Sequence, residues 1–238
     1  MKQDALQRIL AATAARQPVV TVTDLDAGAQ AIVTAGAAHG DLTLTPDVMA
    51  EIETAIGRDR CTTIEAGGRK LFLQVLNPPK RLAVIGAVHI AQTLVPMAVM
   101  AGYDVTVIDP RGAWATKERF PDAEISREWP DKAMEAMAPD HRTAVVALTH
   151  DPKLDEPGLG VALKSQAFYI GALGSNASNA ARLGRLKQAG FGEDELARIH
   201  GPIGLDIHAE SPPEIAVAIL AQMTQVLHPP KKKKEKAA

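Results

Sequence analysis

From residue 81 onward the chain consists of short apolar runs alternating with helical segments, and no other feature limits its folding as much. Runs at 81–85, 104–108, 143–148 and 168–172 read as strands. Helices are predicted near 89–101, 131–138, 157–165 and 176–189, with a final one over about 213–227 opened by Ser211 and the prolines after it. A strand, a crossover helix and a further strand make a right-handed unit, so repetition of the pattern specifies a parallel sheet covered by helices on both faces. Aromatic residues are only 3% of a chain that is 46% hydrophobic, so Ala, Val, Ile and Leu must fill the core. That composition suits helices on a parallel sheet better than an aromatic-rich sandwich.

Upstream the pattern differs. Residues 3–16 have helical spacing, with Leu6, Ile9, Leu10 and Thr13 on one face. Strands are predicted at 19–23 and 30–34, and Thr45 with Pro46 opens a helix to Ile56 that Gly57 closes. Residues 61–65 and 69–76 alternate as a hairpin around Gly67 and Gly68. Asn77-Pro78-Pro79 then breaks the pattern, because proline supplies no amide donor and restrains the residue before it. The expected organisation is a small α+β domain over 1–77, an α/β domain over 80–228 and a disordered basic tail over 229–238.

The net charge is −2, yet residues 231–238 hold five lysines and one glutamate, so the rest of the chain is more acidic still. Such a body argues against nucleic acid as a partner, since phosphate backbones require clustered Lys and Arg on the folded surface. The single cysteine, Cys61, excludes an intrachain disulfide framework and a paired-cysteine metal knuckle. Placed on an expected strand, Cys61 reads as a small buried residue rather than a sulfur carrier. The N-terminal stretch lacks the apolar core of a signal peptide, and no run approaches the roughly 18 apolar residues of a membrane span. A cytoplasmic protein with no membrane association is expected.

The first strand of the second domain runs into Gly86-Ala87-Val88-His89-Ile90-Ala91, where a dinucleotide-binding fold places G-x-G-x-x-G/A, and Asp109 ends the next strand near the position of a ribose-binding carboxylate. The parallel sheet is therefore read as Rossmann-like. Val88 stands where the second glycine lets backbone approach a pyrophosphate, and its branched side chain weighs against NAD(P). An NAD(P)-dependent oxidoreductase with a degenerate loop is the alternative reading. The helix opening near His89 still presents free amides and a positive dipole end to an anion.

In such sheets ligands lie beyond the carboxyl ends of the strands. Thr149-His150-Asp151 follows one strand and Gly174-Ser175-Asn176 follows another, the latter combining a glycine turn, polar side chains and a helix start into an anion cradle. Taken alone, either Ser175 or Asn176 reads first as a simple helix cap. His200, Asp206 and His208 lie in a Gly/Pro loop whose spacing lacks the helical geometry of zinc sites, so no protein-bound metal is expected.

The string from Phe168 to Ser175, then Glu195 to His200, Pro202 to Ile207 and Ser211 to Ala216 resembles the C-terminal half of the XdhC/CoxI family. Thr149-His150-Asp151 and the Gly86 loop with His89 match that family in the same order, so the resemblance covers roughly residues 69–227. It implies an accessory chaperone rather than a catalyst, one that binds the molybdenum cofactor, as molybdopterin or its dinucleotide form. The family protects that cofactor while a cysteine desulfurase installs its sulfido ligand, then hands it to the apoenzyme of a xanthine dehydrogenase-type molybdenum hydroxylase. The candidate contacts are Gly86, His89, Asp109, Thr149, His150, Asp151, Gly174, Ser175, Asn176, His200 and Asp206. The family's loop usually has a small residue where Val88 stands, and residues 1–77 match no pattern of longer relatives. The final Ala-rich helix also offers an interface, which fits a scaffold that only docks a target dehydrogenase, and the choice between monomer and homodimer is open.

Overall fold

The computed structural model describes residues 3–228; the expected basic tail at 229–238 lies outside them. The chain divides into two compact units, residues 1–78 and 79–238.

Among the described residues, the first unit holds a five-stranded antiparallel sheet ordered β3-β2-β1-β5-β4, from β1 (Val19–Asp24), β2 (Gln30–Thr34), β3 (Ala37–Gly40), β4 (Thr62–Ala66) and β5 (Arg69–Leu76). One face packs Val20, Val22, Leu71 and Leu73 against Val48, Ile52 and Ala55 of α2 (Pro46–Gly57). The other receives α1 (Gln3–Ala14), and here the predicted helix face is corrected. The buried stripe is Ala5, Ile9 and Ala12 against Val19 and Ile32, whereas Leu6 and Leu10 are exposed. Residues spaced i, i+4, i+7 share the stripe that meets the sheet, and the leucines fall one position outside it. Cys61 is corrected too: it precedes β4 and is exposed, its Sγ accepting a hydrogen bond from the Val75 amide at 3.4 Å.

The second unit carries the expected α/β architecture. Its strands are β6 (Lys80–Ile85), β7 (Tyr103–Ile108), β8 (Glu124–Ser126), β9 (Thr143–Ala147), β10 (Tyr169–Ala172) and β11 (Ile199–His200), in one sheet ordered β11-β10-β9-β6-β7-β8. Every pairing is parallel. Counted from β6, this is the 3-2-1-4-5-6 order of a dinucleotide-binding fold.

Alternation along the central strands builds two cores. Leu82 and Val84 of β6 with Ala144 and Val146 of β9 face Leu94 and Val95 of α3 (His89–Met100) and Ile219 and Met223 of α8 (Pro212–Leu227). Ala83, Ile85, Val145 and Ala147 face the other way, onto α4 (Pro130–Met137), α5 (Pro152–Lys164) and α6 (Asn176–Gln188). Because both faces are covered, the strands read as continuous apolar runs rather than alternating ones. Helix α5 lies so close to β6 that a Cβ on Gly158 would strike the Ile85 side chain. It begins five residues before the predicted start: Asp151 caps it by accepting from the Lys153 amide at 2.9 Å, and Pro157 stands inside it. The short helix α7 (Glu193–Leu196) completes the unit's described elements. No described helix is long and apolar enough to cross a membrane.

Candidate functional site

The sheet order reverses direction between β6 and β9, so the crevice beyond their carboxyl ends is where such a sheet accepts a ligand. Gly86 leaves β6 with φ +106°, a conformation that L side chains rarely adopt, and a Cβ there would overlap the Thr149 methyl at the end of β9. The Gly86 backbone therefore lies directly against the Thr149 side chain across the crevice. The next residues open α3, whose N-cap, Val88, offers no side-chain hydrogen bond. Val88 is half-buried and packs on the core shared by α3 and α8.

Asp109, at the end of β7, is fully buried and its carboxylate is fully engaged. Oδ2 accepts from the Ala87 amide at 2.9 Å and from Arg111 Nη2 at 2.7 Å, and Oδ1 accepts from the Arg111 amide and Nε, both at 2.9 Å. Burial works against its charge, but the Arg111 guanidinium and the two amides outweigh it and hold the carboxyl below the usual range. Asp109 thus braces the Gly86 loop and aims Arg111, whose side chain is 43% exposed and whose charge is further favoured by Asp151 and Asp155.

On the far side of the crevice Thr149 donates to Asp155 Oδ1 from its amide at 3.2 Å and from Oγ1 at 2.7 Å, and accepts from the Asp151 amide at 3.0 Å. His150 is exposed and held in the left-handed region, φ 61°. Asp155 is buried, and among the described residues its Oδ2 is one of two buried side-chain oxygens with no hydrogen-bond partner. That atom stands 3.8 Å from Nη2 of buried Arg182 on α6, which donates to the Leu173 carbonyl at 2.8 Å. Burial pushes the Asp155 carboxyl up, even though the Thr149 groups, Arg182 and His150 pull the other way. The pair links the loop after β9 to the loop after β10, where Ser175 caps α6 by accepting from the Ser178 amide at 3.1 Å and Asn176 is exposed in the first turn.

A cavity of about 590 Å³ lies elsewhere, between β8 and α4, lined by Asp104, Asp122, Glu124 and Glu128 with Arg81 and Lys132. Its carboxylates suit an anion poorly.

A family model described as the XdhC Rossmann domain matches residues 82–223. The chain belongs to the XdhC Rossmann domain family. Beyond that domain model, the chain is 30% identical over 172 residues to an uncharacterized Escherichia coli protein, YqeB, covering 71% of this chain and 31% of the relative. It is also 30% identical to a Bacillus subtilis protein named as a probable xanthine dehydrogenase subunit, over 65% of this chain and 45% of that one. A third relative at 30% identity is the Escherichia coli protein named molybdenum cofactor insertion chaperone PaoD, matched over 63% of this chain and 41% of the relative. The matches thus span less than half the length of these curated relatives. A crystal structure of a xanthine dehydrogenase from Bacillus halodurans superposes with a TM-score of 0.73 at 26% identity, over 94% of this chain and 66% of that one.

Within the XdhC domain the predicted residues divide into two groups. Gly86, Asp109, Thr149 and Asp151 converge at the crevice, with His89 and His150 exposed beside them, and Gly174, Ser175 and Asn176 form the adjoining helix start. His200 stands apart on the edge strand β11, its imidazole stacked on Tyr169 at 4.8 Å, and burial lowers its pKa. Asp206 is farther out, its side chain 92% exposed beside an equally exposed His208. Sequence reasoning misses Arg111, Asp155 and Arg182. Arg111 carries a weak signal, two residues beyond Asp109; Asp155 and Arg182 lie inside helices and give none.

Proposed function

We propose that this chain serves the maturation of a xanthine dehydrogenase-type molybdenum enzyme by holding the molybdenum cofactor at the carboxyl edge of β6, β9 and β10. The observation that carries the reading is the Gly86–Thr149 approach at the crossover of the sheet, flanked by the uncapped start of α3 and the aimed guanidinium of Arg111. Free helix-start amides and an ordered arginine fit the phosphate of a molybdopterin. Gly86, His89, Thr149, His150 and Asp151 would hold one side of the cargo and Gly174, Ser175 and Asn176 the other, with Asp109 acting through Arg111. The names of the Bacillus subtilis and PaoD relatives support the same role. The chain would then work in the cytoplasm, receiving the cofactor, presenting it to a cysteine desulfurase and passing it to the apoenzyme.

Two observations count against a pyridine nucleotide: Val88 replaces the fingerprint glycine, and the Asp109 carboxylate is already saturated. Protein purified from a host that makes the cofactor is expected to carry molybdenum and pterin. His150→Asn, which tolerates the left-handed backbone, should weaken retention about tenfold, the loss of one hydrogen bond to a charged group. Ser175→Ala should weaken it similarly while lowering stability by about 1 kcal/mol through the lost cap. Unchanged retention in both variants, or tight NADH binding without any pterin, would overturn the reading.

A further inference from the structure

The chain has two tryptophans, and both are exposed, Trp114 at 49% and Trp129 at 55%. Only Trp114 is tied to the candidate site. It lies three residues after Arg111, in a turn closed by its own amide on the Arg111 carbonyl at 2.9 Å. The next residue, Ala115, and then Phe120 are buried in the core beneath α3, so the turn is rooted at its far end as well. Arg119 completes the fixture. Its Nη1 donates to the Ala87 carbonyl of the Gly86 loop at 2.9 Å and also to the Trp114 carbonyl, while its guanidinium carbon stands 5.5 Å from the Trp114 ring centre.

A large apolar ring left in water costs free energy, and a flexible loop would usually fold it away. Here the turn is held at both ends and the indole stands one guanidinium from the crevice loop. A rigid exposed aromatic beside an anion-binding helix start is the arrangement that seats a planar heterocycle carrying an anionic tail, by stacking on the ring while the tail meets the amides. We infer that the indole of Trp114 is the stacking platform for the heterocycle of the bound ligand, and that Arg119 is the positioning residue that fixes it to the Gly86 loop. The inference rests on the pterin reading above for the ligand's identity and adds the residue that recognises the ring.

The test uses the full chain with Trp129→Phe, which leaves Trp114 as the sole tryptophan, and molybdopterin extracted anaerobically from a purified molybdenum hydroxylase. Molybdopterin is expected to quench the remaining tryptophan emission. Read as pterin retained on the protein after gel filtration, which needs no tryptophan, Trp114→Ala should bind it roughly tenfold to a hundredfold more weakly, as alanine in place of a stacking aromatic does, and Trp114→Phe should recover most of the loss. Arg119→Ala should weaken binding less and broaden the emission of Trp114 in the free protein. If Trp114→Ala retains molybdopterin as well as the parent does, the platform is refuted while the cofactor reading stands. Quenching by NADH and none by molybdopterin would keep the platform and refute the cofactor reading, and a parent protein that binds neither removes both.

Discussion

Replacing Asp155 by alanine is expected to destabilise the second unit by about 3–5 kcal/mol, because the change opens a gap beside the buried Arg182 side chain and strips buried donors of their acceptor. The Thr149 amide and hydroxyl would lose their acceptor at the same time, and Arg182 would keep only the Leu173 carbonyl and the Asn179 side chain. Asp155→Asn should behave very differently. Burial raises the Asp155 carboxyl above its ordinary value, so the folded chain holds that proton more tightly than the unfolded one. The sign follows from linkage: below the unfolded value of about 3.9 the carboxyl is protonated in both states and its full contribution is present. As pH rises through the raised folded value that contribution is lost, since the unfolded chain gives up its proton first. An amide has no proton to lose there. Denaturant unfolding at a series of pH values should therefore show Asp155→Asn equal to or more stable than the parent near neutrality, and lacking the parent's decline above about pH 4. Asp109 works in the opposite sense, its lowered carboxyl stabilising the fold at neutral pH and ceasing to do so as acid protonates it. An Asp155→Asn profile parallel to the parent's would show that Asp155 is not ionised under strain, and a loss below about 1 kcal/mol in Asp155→Ala would show that the pair does not brace the loops.

Gly86→Ala is the second large effect. The backbone there sits at φ +106°, which a side chain occupies at a cost of about 1–3 kcal/mol, and the new methyl would press on the Thr149 Cγ2 in a packed site, adding a similar amount. For a unit of this size each 1 kcal/mol lowers the melting temperature by about 2–4 °C, so calorimetry resolves the change easily. Thr149→Ser removes that Cγ2 and keeps the hydroxyl that donates to Asp155. The double variant should recover the packing share of the loss and leave the backbone share, giving a coupling of about 1–3 kcal/mol between residues far apart in sequence. Strict additivity would mean that the two loops do not meet as described.

The elements legible in the sequence are those with an unambiguous apolar period. The central strands β6, β9 and β10 are buried on both faces and read directly, as do β7, α3 and α6. Strand β8 is three residues long and only half-buried, β11 is two residues long, and neither is long enough to show a period. The start of helix α5 reads late because Pro157 resembles a first-turn proline, whereas Pro152 fills that position under the Asp151 cap. On α1 the bulky leucines suggest the wrong face, since small alanines line the stripe against the sheet. The same logic governs the site. Loop residues directly after strands are legible because the fold class says where to look. Asp155, Arg182 and Arg119 reach the crevice from helices and a later turn, so only tertiary packing reveals them.

The outermost strands β8 and β11 are stubs of three and two residues, with β6 and β9 at the centre between them. Such short rims present too few unpaired amides to template another chain, which protects the sheet from edge-to-edge growth. Local breathing that opens those rims must pass through β7 or β10 before it disturbs the central crevice. The fold can therefore tolerate insertions and fraying at its margins without altering the grip at its middle.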